Sequence, residues 1–418
     1  MSNPSFTPAQ GQMNTGTDNS SAFIRDVDPR LFYLEAEKYP LISLIFTQGT
    51  DLERKGTDGY TLTGKNSFKQ APTMNPLFEH TESANGQFAF NPNAAVAAAD
   101  ATMTVTALVS AFFAAGDEIL LVNSSGQREI ARVTIVASTT LTITRNIGST
   151  GAIVMTTADF FYRIGNVRAE DSTSATAVQI KGSTITNYVQ FLSEAFGLSS
   201  IEMATGNYHT KDPYKQKRME ALSRFKRNLE MVCWFGVKSM DSSTTNPVYH
   251  SGGILYWLEQ VFTDVPVTDA GGLLTKSAWD QWLTDVMKNG NRQKTVFCSS
   301  PVLTAVNGFA TNQLRPADVN LKKFGMQITS YQGTHGVVNM VYEPLFDEIT
   351  SMNGAAVCLD MDNISWRYLS ANGVNLNIMA QDDIQENDRS GRKGQWLAVG
   401  GIQTAIGKTH GILRNVQN

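Results

Sequence analysis

The sequence predicts an α+β protein with a small antiparallel β-domain inserted into it, and three observations carry that prediction. The stretch Asp212 to Gly236 reads as one long amphipathic helix in a chain otherwise made of short strands and loops. Between Gly86 and Gly165 the text turns β-branched and alternating, with turn residues between the runs. From Thr295 onward, strand-like and helix-like segments take turns, as an α+β block requires. At 418 residues the chain exceeds the length at which single cores stop growing, so more than one subdomain is expected.

Residues 1–22 are rich in Ser, Asn, Thr, Gly and Gln, with too little apolar surface to fold alone. They read as an arm that docks on something else. The segment from Phe23 to Phe46 is first amphipathic and then apolar, which predicts a short helix and a strand. Residues 51–84 are polar, with scattered Gly and Pro and no period that would bury a face; an extended excursion is expected. From Gln70 to Ile180 there is no lysine. Within that span ATMTVTALV, DEILLV, REIARVTIVA, TLTIT and DFFYRIG predict five short strands of an antiparallel barrel or sandwich.

Pro213 suits the first position of the long helix, because its missing N–H would be an orphan there. Asp212 is the expected N-cap, and Gly236 is expected to stop the helix in the left-handed conformation. Tyr214, Ala221, Leu222, Phe225, Leu229, Val232 and Cys233 fall on one 3.6-residue stripe. At 1.5 Å per residue the helix spans roughly 35 Å. Lys217, Arg224 and Arg227 occupy the opposite face. Glu220 with Arg224, and Glu230 with Lys226, are spaced as i,i+4 pairs that match part of this charge.

A second helix is expected around Ser277 to Lys288, with Ser277 and Asp280 as a capping pair, Trp279, Trp282, Leu283 and Val286 as its stripe, and Gly290 as its end. Then come strand TVFCS, a helix from Pro301 to Asn312 capped by Ser300, strand MQITSYQ, a turn at Gly333–Gly336, and strands VVNMVYE, AAVCLD and ISWRYL. This block is expected to end near Gly373. QWLAVGGIQTAIG reads as a final strand that returns to the long helix.

Composition narrows the function. Charged residues make up 17%, against roughly a quarter in typical soluble proteins. An exterior so poor in charge suggests that partners cover much of it. The net charge of −4 gives no global basic field to draw the chain to nucleic acid or membrane. Cys233, Cys298 and Cys358 each sit in an apolar run with no CxxC pair, as buried thiols in a reducing compartment do. The N-terminal residues have neither the basic nor the apolar region of a secretory signal, and no run approaches the ~20 apolar residues of a membrane span.

No catalytic residue, cofactor or metal is expected. GGIQTAIGKT resembles a phosphate-binding loop, but Gly401 leaves five residues before Gly407 where the loop needs four. Asp382, Asp383, Glu386 and Asp388 lack the order of a calcium loop, and these residues, with Asp360 and Asp362, are expected in solvated loops. The five histidines are dispersed without a ligand-like pair, and no GxSxG elbow occurs. The basic face of the long helix lacks aromatic interleaving, so a nucleic-acid contact there would be to the backbone only and salt-sensitive.

An arm, an extended excursion, a long helix, an α+β block and a returning strand, in that order, resemble the Johnson fold of tailed-bacteriophage major capsid proteins, in the branch with a β-rich insertion. The segment QKRMEALSRFKRNLEMVCWFG resembles the spine helix of that fold. TNYVQFLSEAFGLS, GTHGVVNMVYEPLF followed by CLDMDNISWRYL, and GQWLAVGGIQTAIG support it. The resemblance implies an N-terminal arm at 1–50, an extension loop at 51–85 and 166–208, and the inserted β-domain at 86–165. It implies a peripheral domain at 209–292 and 380–418 and an axial domain at 293–379. The implied function is a structural major capsid protein that self-assembles into hexamers and pentamers of an icosahedral head enclosing double-stranded DNA. Implied partners are further copies of itself, a portal, a decoration protein and packaged DNA, with no membrane. The chain shows no long charged helical N-terminal domain, which implies a separate scaffolding protein. Lys217, Arg224 and Arg227 would face the interior of the virion, which is assembled in the bacterial host cytoplasm. A nanocompartment shell shares the fold, and a soluble hydrolase with a β-barrel accessory domain is the reading from another class.

Overall fold

The structure is a computed structural model that describes residues 39–42, 52–55, 59–62, 69–83, 89–171, 182–205, 212–243, 245–309, 314–316, 328–333 and 336–417. The expected mobile arm at 1–22 and most of the helix and strand expected within 23–46 lie outside these residues. The chain forms two compact units, Glu79–Thr186 and the remainder.

The larger unit begins with a helical turn at residues 40–42 (α1), a hairpin of β1 (Leu52–Lys55) and β2 (Gly59–Leu62), and strand β3 (Lys69–Thr73). The chain leaves this unit along β4 (Leu77–Glu82).

The smaller unit holds β5 (Ala89–Phe90), β6 (Thr102–Thr104), β7 (Asp117–Val122), β8 (Arg128–Val136), β9 (Thr140–Thr144) and β10 (Phe160–Asn166). They form one antiparallel sheet in the order β5-β10-β7-β8-β9-β6. The Asn93 N–H donates to the Thr104 carbonyl at 2.8 Å, linking the segment after β5 to β6 and drawing the two ends of the sheet together. Six strands therefore stand where five were expected. The run ATMTVTALV splits after β6, because the Thr106 hydroxyl accepts from the Val109 N–H and starts a short helix, α2 (Ala107–Ser110). Alternate residues of every strand point into one core of Phe90, Met103, Ile119, Leu121, Ala131, Val133, Leu141, Ile143 and Phe161. Beside it, the Glu129 carboxylate is fully buried and bonds Arg145 Nε (3.0 Å) and the N–H groups of Asn146 and Ile153 (both 2.9 Å).

The chain returns along β11 (Ser183–Tyr188) into β12 (Gln190–Ser199) and α3 (Ser200–Ala204). The long helix follows as α4 (Pro213–Phe235), with the Asp212 carboxylate accepting from the Lys215 N–H at 3.0 Å. Gly236 does not adopt the expected left-handed conformation: its φ is −55° and ψ 143°. Glycine is required there by a close approach, since a Cβ would collide with the carbonyls of Ser251 and Val232. A small hairpin of β13 (Ser239–Asp241) and β14 (Val248–His250) leads to α5 (Ile254–Tyr256) and then β15 (Val267–Gly272).

The second helix is α6 (Lys276–Met287), and its N-cap is Thr275, whose hydroxyl accepts from the Ala278 N–H. The expected Ser277 cap is wrong by two residues, because Asp280 instead accepts the Tyr331 hydroxyl at 2.8 Å and a better-placed threonine precedes it. Trp279, Trp282, Leu283 and Val286 are all buried, as the stripe predicts. There follow β16 (Gln293–Cys298), α7 (Ser300–Phe309), β17 (Leu314–Pro316), β18 (Ile328–Gln332), β19 (Val337–Tyr342), α8 (Pro344–Glu348), β20 (Ala356–Leu359), β21 (Ile364–Ala371), β22 (Val374–Asn375), β23 (Met379–Gln381), β24 (Gly391–Thr404) and β25 (Gly411–Val416). Ser300 is the first residue of α7 rather than its cap, and the expected end at Asn312 lies outside the described residues.

Two sheets organise this unit. One runs β12-β24-β21-β22, with β23 on β24 and β3 parallel to β21. The other runs β15-β25-β20-β16-β19-β18-β17. ISWRYL, expected in the α+β block, belongs to the first sheet as β21. QWLAVGGIQTAIG is not the final strand, because β25 follows it and enters the second sheet between β15 and β20. The second sheet is covered on both faces, which explains its continuous apolar text. Phe297, Val357, Leu359 and Ile412 face a core shared with Phe225, Leu229 and Trp234 of α4. Their neighbours Val296, Cys298, Cys358 and Leu413 face α6 and α7. Trp234 meets Phe297 and Phe346 edge-on, with centroids 5.1 and 4.9 Å away.

Asp360 is not in a solvated loop. It is buried and accepts from Asn291 N (3.0 Å) and Asn363 Nδ2 (3.1 Å). Its oxygens satisfy the turn that joins β20 to β21. The three cysteines are free and buried, and burial pushes all three thiols up, away from reactive thiolate.

Candidate functional site

The candidate site is the outer face of α4, and its geometry follows from which residues the packing leaves outside. Tyr214, Ala221, Phe225, Leu229, Cys233 and Trp234 are buried, so Lys217, Arg224 and Arg227 are turned outward together. Towards its C-terminus the helix is enclosed more completely, and Trp234 is buried outside the expected stripe.

The charges on this face are partnered differently from the i,i+4 expectation. Lys217 Nζ lies 3.0 Å from Glu220, three residues on. Arg224 bonds Glu194 of β12 at 2.8 Å rather than Glu220. Arg218 lies 3.3 Å from Asp382 and stacks 5.3 Å over the Trp396 ring. Glu230 does not match Lys226; it is buried with no exposed surface and turned inward. Among the described residues, Arg227 and Lys226 have no carboxylate partner. Glu194 and Asp382 were invisible to a sequence reading, because they come from 30 and 164 positions away, the spacings Arg224–Glu194 and Asp382–Arg218, on separate elements.

The start of α4 is fixed by a second set of contacts. The Tyr214 hydroxyl donates to Asp382 at 2.9 Å, and burial together with that carboxylate pushes the phenol up to about 12. Arg392 stacks 4.3 Å over the Tyr214 ring and bonds both oxygens of Asp383. Part of the acidic cluster thus anchors the start of the helix.

This surface can attract anions and pair with neighbouring carboxylates. Exposed ion pairs of this type are worth about 0–1 kcal/mol, so Lys217 and Arg224 can exchange their carboxylates for other anions at little cost. Among the described residues, no group of three His, Cys, Asp or Glu side chains could hold a metal ion. No helix among them is long and apolar enough to cross a membrane.

The family model of the SU10 major capsid protein matches residues 11–417. No curated protein matches the sequence. Among solved structures, a cyanophage A-1(L) capsid chain is 12% identical with a TM-score of 0.42, covering 61% of this chain and 85% of that one. The capsid of Myoviridae phage XM1 is 12% identical with a TM-score of 0.37, over 60% and 82%. The holo-SrpI encapsulin complex from Synechococcus elongatus PCC 7942 is 13% identical with a TM-score of 0.40, over 57% and 78%. These structural likenesses are faint, and the family match rests on the sequence of residues 11–417 alone.

Proposed function

We propose that this chain, which belongs to the SU10 major capsid protein family, forms the hexamers and pentamers of an icosahedral phage head enclosing double-stranded DNA. Family membership makes it a structural protein of the virion capsid, a shell built from many copies of one chain. The observation that carries the reading is the extent of the match, residues 11–417, which takes in both compact units.

In this proposal residues 1–50 are the arm, 51–85 and 166–208 the extension loop, and 86–165 the inserted β-domain. Residues 209–292 and 380–418 form the peripheral domain and 293–379 the axial domain. Heterologous contacts between such parts close into rings. A separate scaffolding protein, a portal and a decoration protein complete the proposed partners, and assembly takes place in the bacterial host cytoplasm. Lys217, Arg224 and Arg227 face the interior and meet packaged DNA through its phosphates, without reading sequence. Arg227, with no carboxylate partner among the described residues, is the most available of the three.

Light scattering and negative-stain imaging of the chain expressed with its neighbouring open reading frames test the shell directly. Closed particles or rings of five and six are expected, and a chain that stays monomeric in every condition refutes the reading. In those particles, reversing Lys217, Arg224 and Arg227 to Glu together should leave closure intact and reduce genome retention. Retention equal to that of the unaltered particle would remove these residues from the interior.

A further inference from the structure

Two glutamates meet inside the larger unit with no cation beside them among the described residues. Glu230 of α4 and Glu343, between β19 and α8, both have no exposed surface, and their carboxyls interact directly. Each has one oxygen committed to backbone. Glu230 Oε1 accepts from the Leu41 N–H at 2.9 Å, and Glu343 Oε1 accepts from the Leu345 N–H at 3.3 Å. The other oxygen of each, Oε2, has no hydrogen-bond donor among the described residues. No salt bridge reaches either carboxyl among those residues.

Two carboxylates facing each other in an apolar core cannot both be ionised without a large cost. A proton held between them gives each unpartnered oxygen a bond and removes the repulsion. Burial, and then each carboxyl's neighbour, decides the titration: burial and the charge of Glu343 raise Glu230 well above its ordinary value. Burial pushes Glu343 up to about 7, against the opposing influence of Glu230, the Leu345 N–H and the nearby Trp234 indole. Two other titratable side chains couple to the pair among the described residues: Cys233, fully buried on α4 and held protonated by burial and then by Glu230, and Tyr342, whose phenol is pushed up by burial, by Asp347 and then by Glu343. The half-buried Tyr39 packs at the edge of the same core.

The group on the far side of Glu230 is what gives this pair a consequence. Leu41 and Ile42 are buried in the core against α4, and the bond from the Leu41 N–H to Glu230 ties that segment down. We propose that residues 39–42 are held on the core by a proton-linked clasp, in which one proton shared by Glu230 and Glu343 keeps the segment docked and its loss to solvent releases it. When the proton leaves, two charges stand in contact in the core. The separation that relieves them moves Glu230 away from the Leu41 N–H and admits water. Docking is tightest where the released carboxyls would also be protonated, and it loosens as pH rises from the ordinary carboxylate range to the raised titration of the docked pair, above which it stays constant. This clasp belongs to the single chain and does not depend on the shell reading.

Hydrogen exchange of the full-length chain between pH 5 and pH 9, corrected for intrinsic exchange, tests it on the peptide containing Leu41. The unaltered chain should lose protection at this peptide by about tenfold per pH unit while the docked pair still holds the proton that released carboxyls have lost, and should level off above the titration of the pair, as expected for one linked proton. A peptide from β16 should stay protected throughout. Glu343→Gln supplies a permanent N–H to Glu230 while its carbonyl oxygen can still accept from Leu345, so protection at Leu41 should become independent of pH. Protection at Leu41 that ignores pH in the unaltered chain, or that falls in parallel in Glu343→Gln, overturns the proposal. If Glu343→Gln does not fold, the unaltered chain decides alone: loss confined to the Leu41 peptide supports the clasp, and equal loss at β16 refutes it.

Discussion

Removing Glu129 should cost the β-rich unit a large share of its stability. Its carboxylate has no exposed surface, and the Arg145 side chain that it pairs with is 8% exposed. Arg145 also donates to the carbonyls of Ala97 and Ile153, so one ion pair ties three separate stretches of chain. Glu129→Ala would strand a buried guanidinium and leave the N–H groups of Asn146 and Ile153 without their acceptor. Breaking a buried pair from one side costs about 3–5 kcal/mol. A unit of roughly 100 residues holds only about 5–15 kcal/mol in all. The corresponding fall in Tm is on the order of 15 °C, read by calorimetry on the full chain together with hydrogen exchange at Asp117–Val122. The companion variant Glu129→Ala/Arg145→Met removes both charges and should cost less than the two single changes added together. The pH dependence has a definite sign. Burial would raise Glu129, but the bonds from Arg145, Ile153 and Asn146 outweigh it and hold the carboxyl below its ordinary value. Its contribution is therefore fully present above the ordinary carboxylate range and is lost as pH falls through the lowered value. A single-variant cost below about 1 kcal/mol, or strict additivity in the double variant, would refute this account of the pair.

Two further changes probe the long helix. Phe225→Ala empties a buried site between α4 and both sheets and should destabilise the larger unit by about 3–5 kcal/mol in denaturant titration. Asp212→Ala removes the N-cap bond to Lys215, with an expected cost of about 1 kcal/mol and faster amide exchange confined to the first turn of α4.

How much of this was legible depended on the range of the interaction. The span of α4 and its Asp212 cap were readable because capping and helical periodicity act within a few residues. The strands of both sheets were readable where one face or both are apolar. The pairing of those strands was less so. Nothing local in ISWRYL says that it leaves the sheet of AAVCLD, since both runs carry the same β-branched text and differ only in the partner they meet. The mistaken left-handed conformation at Gly236 has the same origin: a glycine required by φ and one required by a neighbouring carbonyl look alike in a sequence. At the candidate site, the outward face of α4 was readable, but its neutralisation by Glu194 and Asp382 was not. Glu230 misled most, because a glutamate four residues after a lysine fits a surface pair, whereas here it lies on the enclosed side of the helix and faces Glu343.

The position of β25 sets an order on the making of this protein. It lies inside the second sheet, parallel to β15 and antiparallel to β20, although 144 residues separate the starts of β15 (Val267) and β25 (Gly411). Until residues 411–416 leave the ribosome, β15 has no partner and β20 keeps an open edge. A nascent chain therefore holds its second sheet unfinished while the residues between β15 and β25 are made. At the measured pace of translation, about 5–20 residues per second, that wait from β15 lasts on the order of ten seconds. A polypeptide that stops short of β25 cannot bury Val357 and Leu359 against Ile412, and it exposes the edge that aggregates or recruits a chaperone. Late arrival of a central strand thus acts as a timer: a subunit becomes fit to join others only once that strand has been made.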